Sequence, residues 1–145
     1  MNDLTFQGIN DSLLKALPEL KERYEQGLGW WEGPEPPGQY VVFGFVVDPV
    51  LRDLLSSNKE PAMLKRVFNF FEEMARSSDI QVPNLLQVGI FEWLVGDKAK
   101  MSVAWPYMGQ ETKKIARDTA RIRRCQKNLP EEAGGPGKRD IRDVS

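Results

Sequence analysis

The sequence contains no histidine and one cysteine, Cys125. Without imidazole there is no Ser-His or Cys-His nucleophile pair, no side chain whose ordinary pKa lies near neutrality, and no nitrogen ligand for zinc. One cysteine excludes an internal disulfide and a thiolate zinc site within one chain, and it suits a reducing compartment. No run approaches the roughly 18 apolar residues that a membrane-spanning helix needs, and the start Met1-Asn2-Asp3 lacks the basic segment that opens a signal peptide. A cytoplasmic protein is therefore the expectation. Catalysis would have to run on carboxylates, lysine, arginine or tyrosine alone. The composition points instead to a protein that binds, with no metal and no cofactor.

What is present fits one globular domain. A chain of 145 residues, 41% hydrophobic and 28% charged, can build a core unaided. The net charge of −1 hides an asymmetry, because residues 1–96 carry 14 acidic and 8 basic side chains while residues 97–145 carry 7 and 12. Such a chain can steer a charged partner to either end.

Periodicity reads mainly as helix. Asp11 and Ser12 open a helix over 12–16, and Pro18 starts a second that runs to about Gln26. The Gly/Pro-rich stretch 27–38 is a loop. Residues 40–47, rich in β-branched and aromatic side chains, have strand propensity but no second strand to pair with, and read as an extended or irregular segment. Asp48-Pro49 then looks like a cap and first helical position, opening a helix to about Ser57. Pro61 opens the clearest amphipathic helix, with Leu64, Val67, Phe68, Phe71, Met74 and Ala75 on one face. Asp79 caps the next, to about Val95, whose apolar residues circle the axis as in a central buried helix. A basic helix spans about 110–127. The expected fold class is mainly α, either a compact multi-helix bundle or a short HEAT-like array of helical pairs. Residues 1–127 form the domain, and 128–145, poor in core-forming residues, a disordered tail.

The stretches Leu64-Lys65-Arg66-Val67-Phe68-Asn69-Phe70-Phe71-Glu72-Glu73-Met74 and Val88-Gly89-Ile90-Phe91-Glu92-Trp93-Leu94 resemble a family of small bacterial proteins of unknown function. Leu17-Pro18-Glu19-Leu20-Lys21-Glu22 is similar to that family's opening, and Tyr107-Met108-Gly109 to a later element. The resemblance covers about residues 12–120. It implies an all-helical fold and, for some members, a place beside secreted toxins as candidate immunity proteins. It brings no catalytic motif.

Four groups of residues invite a functional reading. Trp30 and Trp31, flanked by Glu25, Glu32 and Glu35, form a candidate protein-binding loop in which indoles anchor and carboxylates steer; the plainer reading folds the indoles back over the core. Glu92 shares a helical stripe with Leu85, Val88 and Val95, so it is expected to be a buried carboxylate, structural or tuned for acid-base work. Glu72 and Glu73 diverge by about 100° on their helix and cannot pair alone; Glu72 pairs with Glu92 only if their helices face each other. Lys113, Lys114, Arg117, Arg121 and Arg124 offer a basic face for nucleic acid, against a plainer reading as a solvated helix beside an acidic half. The functional expectation is an immunity-type inhibitor that occludes a toxin. Alternatives are a nucleic-acid accessory protein acting through 113–127, and a carboxylate enzyme centred on Glu92.

Overall fold

Proline and glycine divide this chain into its helices. Pro18 separates α1 (Ile9–Ala16) from α2 (Leu20–Gly27), as the sequence predicts. The computed structural model describes residues 3–29, 31, 32, 35 and 37–130. Every regular element among them is helical, and together they form a multi-helix bundle.

The reading of 40–47 as extended or irregular is overturned. These residues belong to α3 (Gln39–Val42) and to a π-helical turn, Phe43–Val47, that runs straight into α4 (Asp48–Ser57). Asp48 is thus no cap; it sits inside a continuous rod. The wide turn has a local cause. Pro49 has no N–H to give the Phe45 carbonyl, and its ring crowds that carbonyl in a regular helix. Widening the turn relieves the clash, and the Asp48 N–H reaches back five residues to Phe43 O. The Phe45 carbonyl meets the end of α2, where a Cβ on Gly27 would stand 3.0 Å from Phe45 O.

The predicted amphipathic helix is α5 (Pro61–Ala75), and Leu64, Val67, Phe68, Phe71 and Met74 are all buried, with Phe70 added. The Phe68 and Phe71 rings meet edge to face at 5.2 Å between centroids. Asp79 ties the following turn together, accepting from the N–H of Gln81 (3.2 Å) and of Phe6 (2.8 Å). Next come α6 (Gln81–Leu86), a second π turn (Gln87–Phe91) closed by the Glu92 N–H on Gln87 O, and α7 (Glu92–Leu94). This segment is not buried all round: Ile80 and Val88 are exposed. Then follow α8 (Lys98–Ala104), capped by Asp97, which accepts from Lys100 N–H, a 3-10 turn (Trp105–Tyr107) and α9 (Gln110–Arg123).

α5 packs against α6 and α9, α4 against α8, and the two π turns against each other and against α2 and α9. Folded contacts pass the expected boundary at 127. Gln126–Asn128 forms a 3-10 turn, Asn128 Nδ2 donates to Val95 O at 2.9 Å, and Leu129 packs on the core. The domain therefore extends past 127, and the rest of the expected tail, 131–145, lies outside the described residues. No helix among the described residues is long and apolar enough to cross a membrane.

Candidate functional site

A π turn adds about one residue to a helical turn, so everything beyond it is rotated relative to a regular helix. Glu92 follows such a turn. Instead of joining Leu85 and Val95 in the interior, it is 44% exposed, with Arg123 Nη1 at 3.9 Å. The expectation of a buried Glu92 is therefore corrected. The well-enclosed carboxylate is Glu72, only 16% exposed. It accepts from the N–H of Glu111 (3.0 Å), and from the N–H (2.9 Å) and hydroxyl (2.6 Å) of Thr112. Burial raises its pKa, but these bonds together with Arg76 outweigh burial and hold it below the ordinary range. Glu72 thus caps the start of α9 while Glu92 meets its end. Eleven residues of helix separate those contacts by about 17 Å, so the two glutamates cannot act as a carboxylate pair.

The residues that close the two π turns, Asp48 and Glu92, face one cleft of about 440 Å³. Tyr40, Gly44, Val88, Gly89, Trp93 and Arg123 complete its lining. Tyr40 is held by its hydroxyl, which accepts from Asn84 Nδ2 at 3.0 Å. Asp48 Oδ1 accepts the Trp93 indole N–H at 3.1 Å, and the Arg52 guanidinium lies over the same indole, 3.8 Å from its centroid. Burial pushes the Asp48 carboxyl up to about 6 against the lowering effects of Trp93 and Arg52. It still carries negative charge at pH 7. Among the described residues, no three histidine, cysteine or acidic side chains gather as metal ligands.

A wider groove of about 1030 Å³ lies among α2, α4 and α5. Four of its charges already serve each other: Arg23 meets Asp53 at 3.5 Å, and Arg66 grips Glu19 as well as the Ala16 carbonyl. The smaller cleft holds the less satisfied groups, and chemistry rather than size selects it.

The sequence-predicted sites fall elsewhere. Trp30 lies outside the described residues. Trp31 packs on the core and donates its indole N–H to Glu35 O at 2.8 Å, so it is folded in rather than offered to a partner. Glu25, Glu32 and Glu35 are exposed. On α9, Lys113 and Arg117 lie over Trp105, at 5.1 and 5.7 Å from its ring centroid, and Arg121 meets Asp118 at 3.2 Å. Lys114 and Arg124 face solvent. Much of the basic face is thus spent within the domain. Tyr40, Gly44, Asp48, Gly89, Trp93 and Arg123 were missed as a site. The signal for it was a glycine inside an apolar run followed by an acid, written twice: Phe43-Gly44-Phe45-Val46-Val47-Asp48 and Val88-Gly89-Ile90-Phe91-Glu92.

Residues 10–124 match the family described as a domain of unknown function, DUF7674. The chain belongs to the DUF7674 family. The match takes in every residue lining the cleft, from Tyr40 to Arg123, and ends one residue beyond α9. No curated protein and no solved structure matches this DUF7674 domain.

Proposed function

We propose that this DUF7674 domain is a non-enzymatic protein-binding domain, an immunity-type inhibitor that neutralises a cognate bacterial toxin by occluding it. One observation carries the reading. Tyr40 and Val88 stand 43% and 42% exposed at the mouth of the cleft, and Ile80, 80% exposed, continues the line of Asn84 and Val88 at four-residue spacing. Apolar groups left in water and rimmed by charges of both signs, here Glu92 and Arg123, have the make-up of a protein interface. The acidic excess of residues 1–96 suits a basic partner, and exposed Glu25, Glu32 and Glu35 would speed its approach. The resemblance to candidate immunity proteins supports the same reading.

Co-expression with a toxin encoded beside the gene tests it. The wild-type chain restores growth, and Val88→Lys, which leaves the helical circular dichroism spectrum intact, does not. Unchanged killing in the presence of the wild-type chain rejects the proposal.

A further inference from the structure

The cleft contains a vacancy that the fold itself does not require. Gly44 is exposed on a π turn without left-handed backbone, and a Cβ built there would meet nothing within 4 Å. Glycine weakens a helix interior, and it is usually kept where backbone geometry or a close neighbour demands it. Neither applies at Gly44, so the room it leaves lies open between the walls that carry Asp48 and Glu92.

Those walls are chemically one-sided. Among the described residues Asp48 accepts one side-chain hydrogen bond, on Oδ1 from Trp93, with the Arg52 charge nearby and no donor bonded to its other oxygen. Glu92 has, among the described residues, Arg123 alone, at the outer limit of an ion pair and itself half exposed. Tyr40 and Trp93 supply aromatic surface, and Trp93 already carries a guanidinium, that of Arg52, on its ring. Arg123 behaves as an internal stand-in: a cation from the same chain leaning on Glu92 at the edge of the cleft.

We propose that the cleft between the two π turns receives the cationic end of a lysine or arginine side chain from the partner protein, held between Asp48 and Glu92 and against the Tyr40 and Trp93 rings. This rests on the protein-binding reading above. The incoming cation takes the free Asp48 oxygen and displaces Arg123 from Glu92, so one wall gains a charge-assisted bond and the other exchanges a weak one for a stronger one.

Amide-correlation NMR of the full chain, titrated with Nα-acetyl-lysine amide and Nα-acetyl-arginine amide, tests it. The expected result is saturable movement of the Trp93 indole signal and of the Gly44 and Gly89 amides. The uncharged counterparts, ε-acetylated lysine and citrulline, leave those signals in place. Asp48→Asn weakens binding by about tenfold, the loss of one charge-assisted bond. Gly44→Leu, which fills the cleft without touching the core, abolishes it. Arg123→Ala tightens it by removing the competitor. Equal response to charged and neutral probes, no response at all, or indifference to Asp48→Asn overturns the inference. Growth rescue by the wild-type chain without probe binding leaves the inhibitor reading standing and removes this one; probe binding without rescue does the reverse.

Discussion

Substituting Glu72 with alanine removes the acceptor for two backbone donors and one hydroxyl at the start of α9. Losing a helix N-cap costs about 1 kcal/mol. Thr112 is 0% exposed, so its orphaned donors add about 1–3 kcal/mol. The expected loss is about 3 kcal/mol, a fall of about 1.5 M in the urea midpoint for a slope near 2 kcal/mol/M. Gly109 supplies an internal control. A Cβ there would lie 2.5 Å from the Glu72 carboxyl, whereas the backbone at Gly109, φ −81° and ψ −177°, accepts any residue. Gly109→Ala therefore acts only by pushing Glu72 off the helix end, and its cost approaches that of Glu72→Ala. The double variant loses little more than either single one, leaving about 2 kcal/mol of non-additivity in the cycle. Urea denaturation followed by circular dichroism measures all four corners. Additive effects within about 0.5 kcal/mol refute the reasoning.

The two enclosed carboxylates give opposite pH dependences. Glu72 has a lowered folded-state pKa, so its stabilising contribution is present above the ordinary glutamate range and disappears as pH falls through the folded value. The gap between wild type and Glu72→Gln should close in acid. Asp48 is raised from 3.8 to about 6, so the folded state holds its proton more firmly and stability drops as pH rises between those values. Asp48→Asn should therefore unfold at higher urea than wild type at pH 8, with the advantage fading below pH 6, as measured by paired denaturation curves across that range. Gly44→Ala should leave stability unchanged or raise it by up to about 1 kcal/mol in a thermal melt, because nothing occupies the added methyl's space. With Lys113 and Arg117 held over Trp105, the purified chain should pass a DNA or RNA column at low salt without retention.

Periodicity made α5 readable because Leu64, Val67, Phe68, Phe71 and Met74 recur at three and four and all reach the core. Residues 40–47 misled because β-branched and aromatic content was weighed above spacing. The buried positions there are Val42, Phe43, Val46 and Val47, a helical rhythm. Glu92 was placed by counting regular turns, and the extra residue in Gln87–Phe91 carried it outward. That second π turn, unlike the first, forms with no proline just after it. Glu72 was invisible for another reason: its partners Glu111 and Thr112 lie 39 and 40 residues away, beyond any local pattern. The cleft joins residues from 40 to 123, so only its doubled glycine-then-acid wording was legible beforehand.

Titration calorimetry of the purified chain against the purified product of any toxin gene found beside its own tests the proposed partner recognition by this face most directly. Saturable one-to-one binding is predicted for the wild type, weakened about thirtyfold or more by Val88→Lys, which puts a cation at the cleft mouth, as for loss of an interface hot spot. Absence of binding by the wild-type chain, or equal affinity for both, would contradict it.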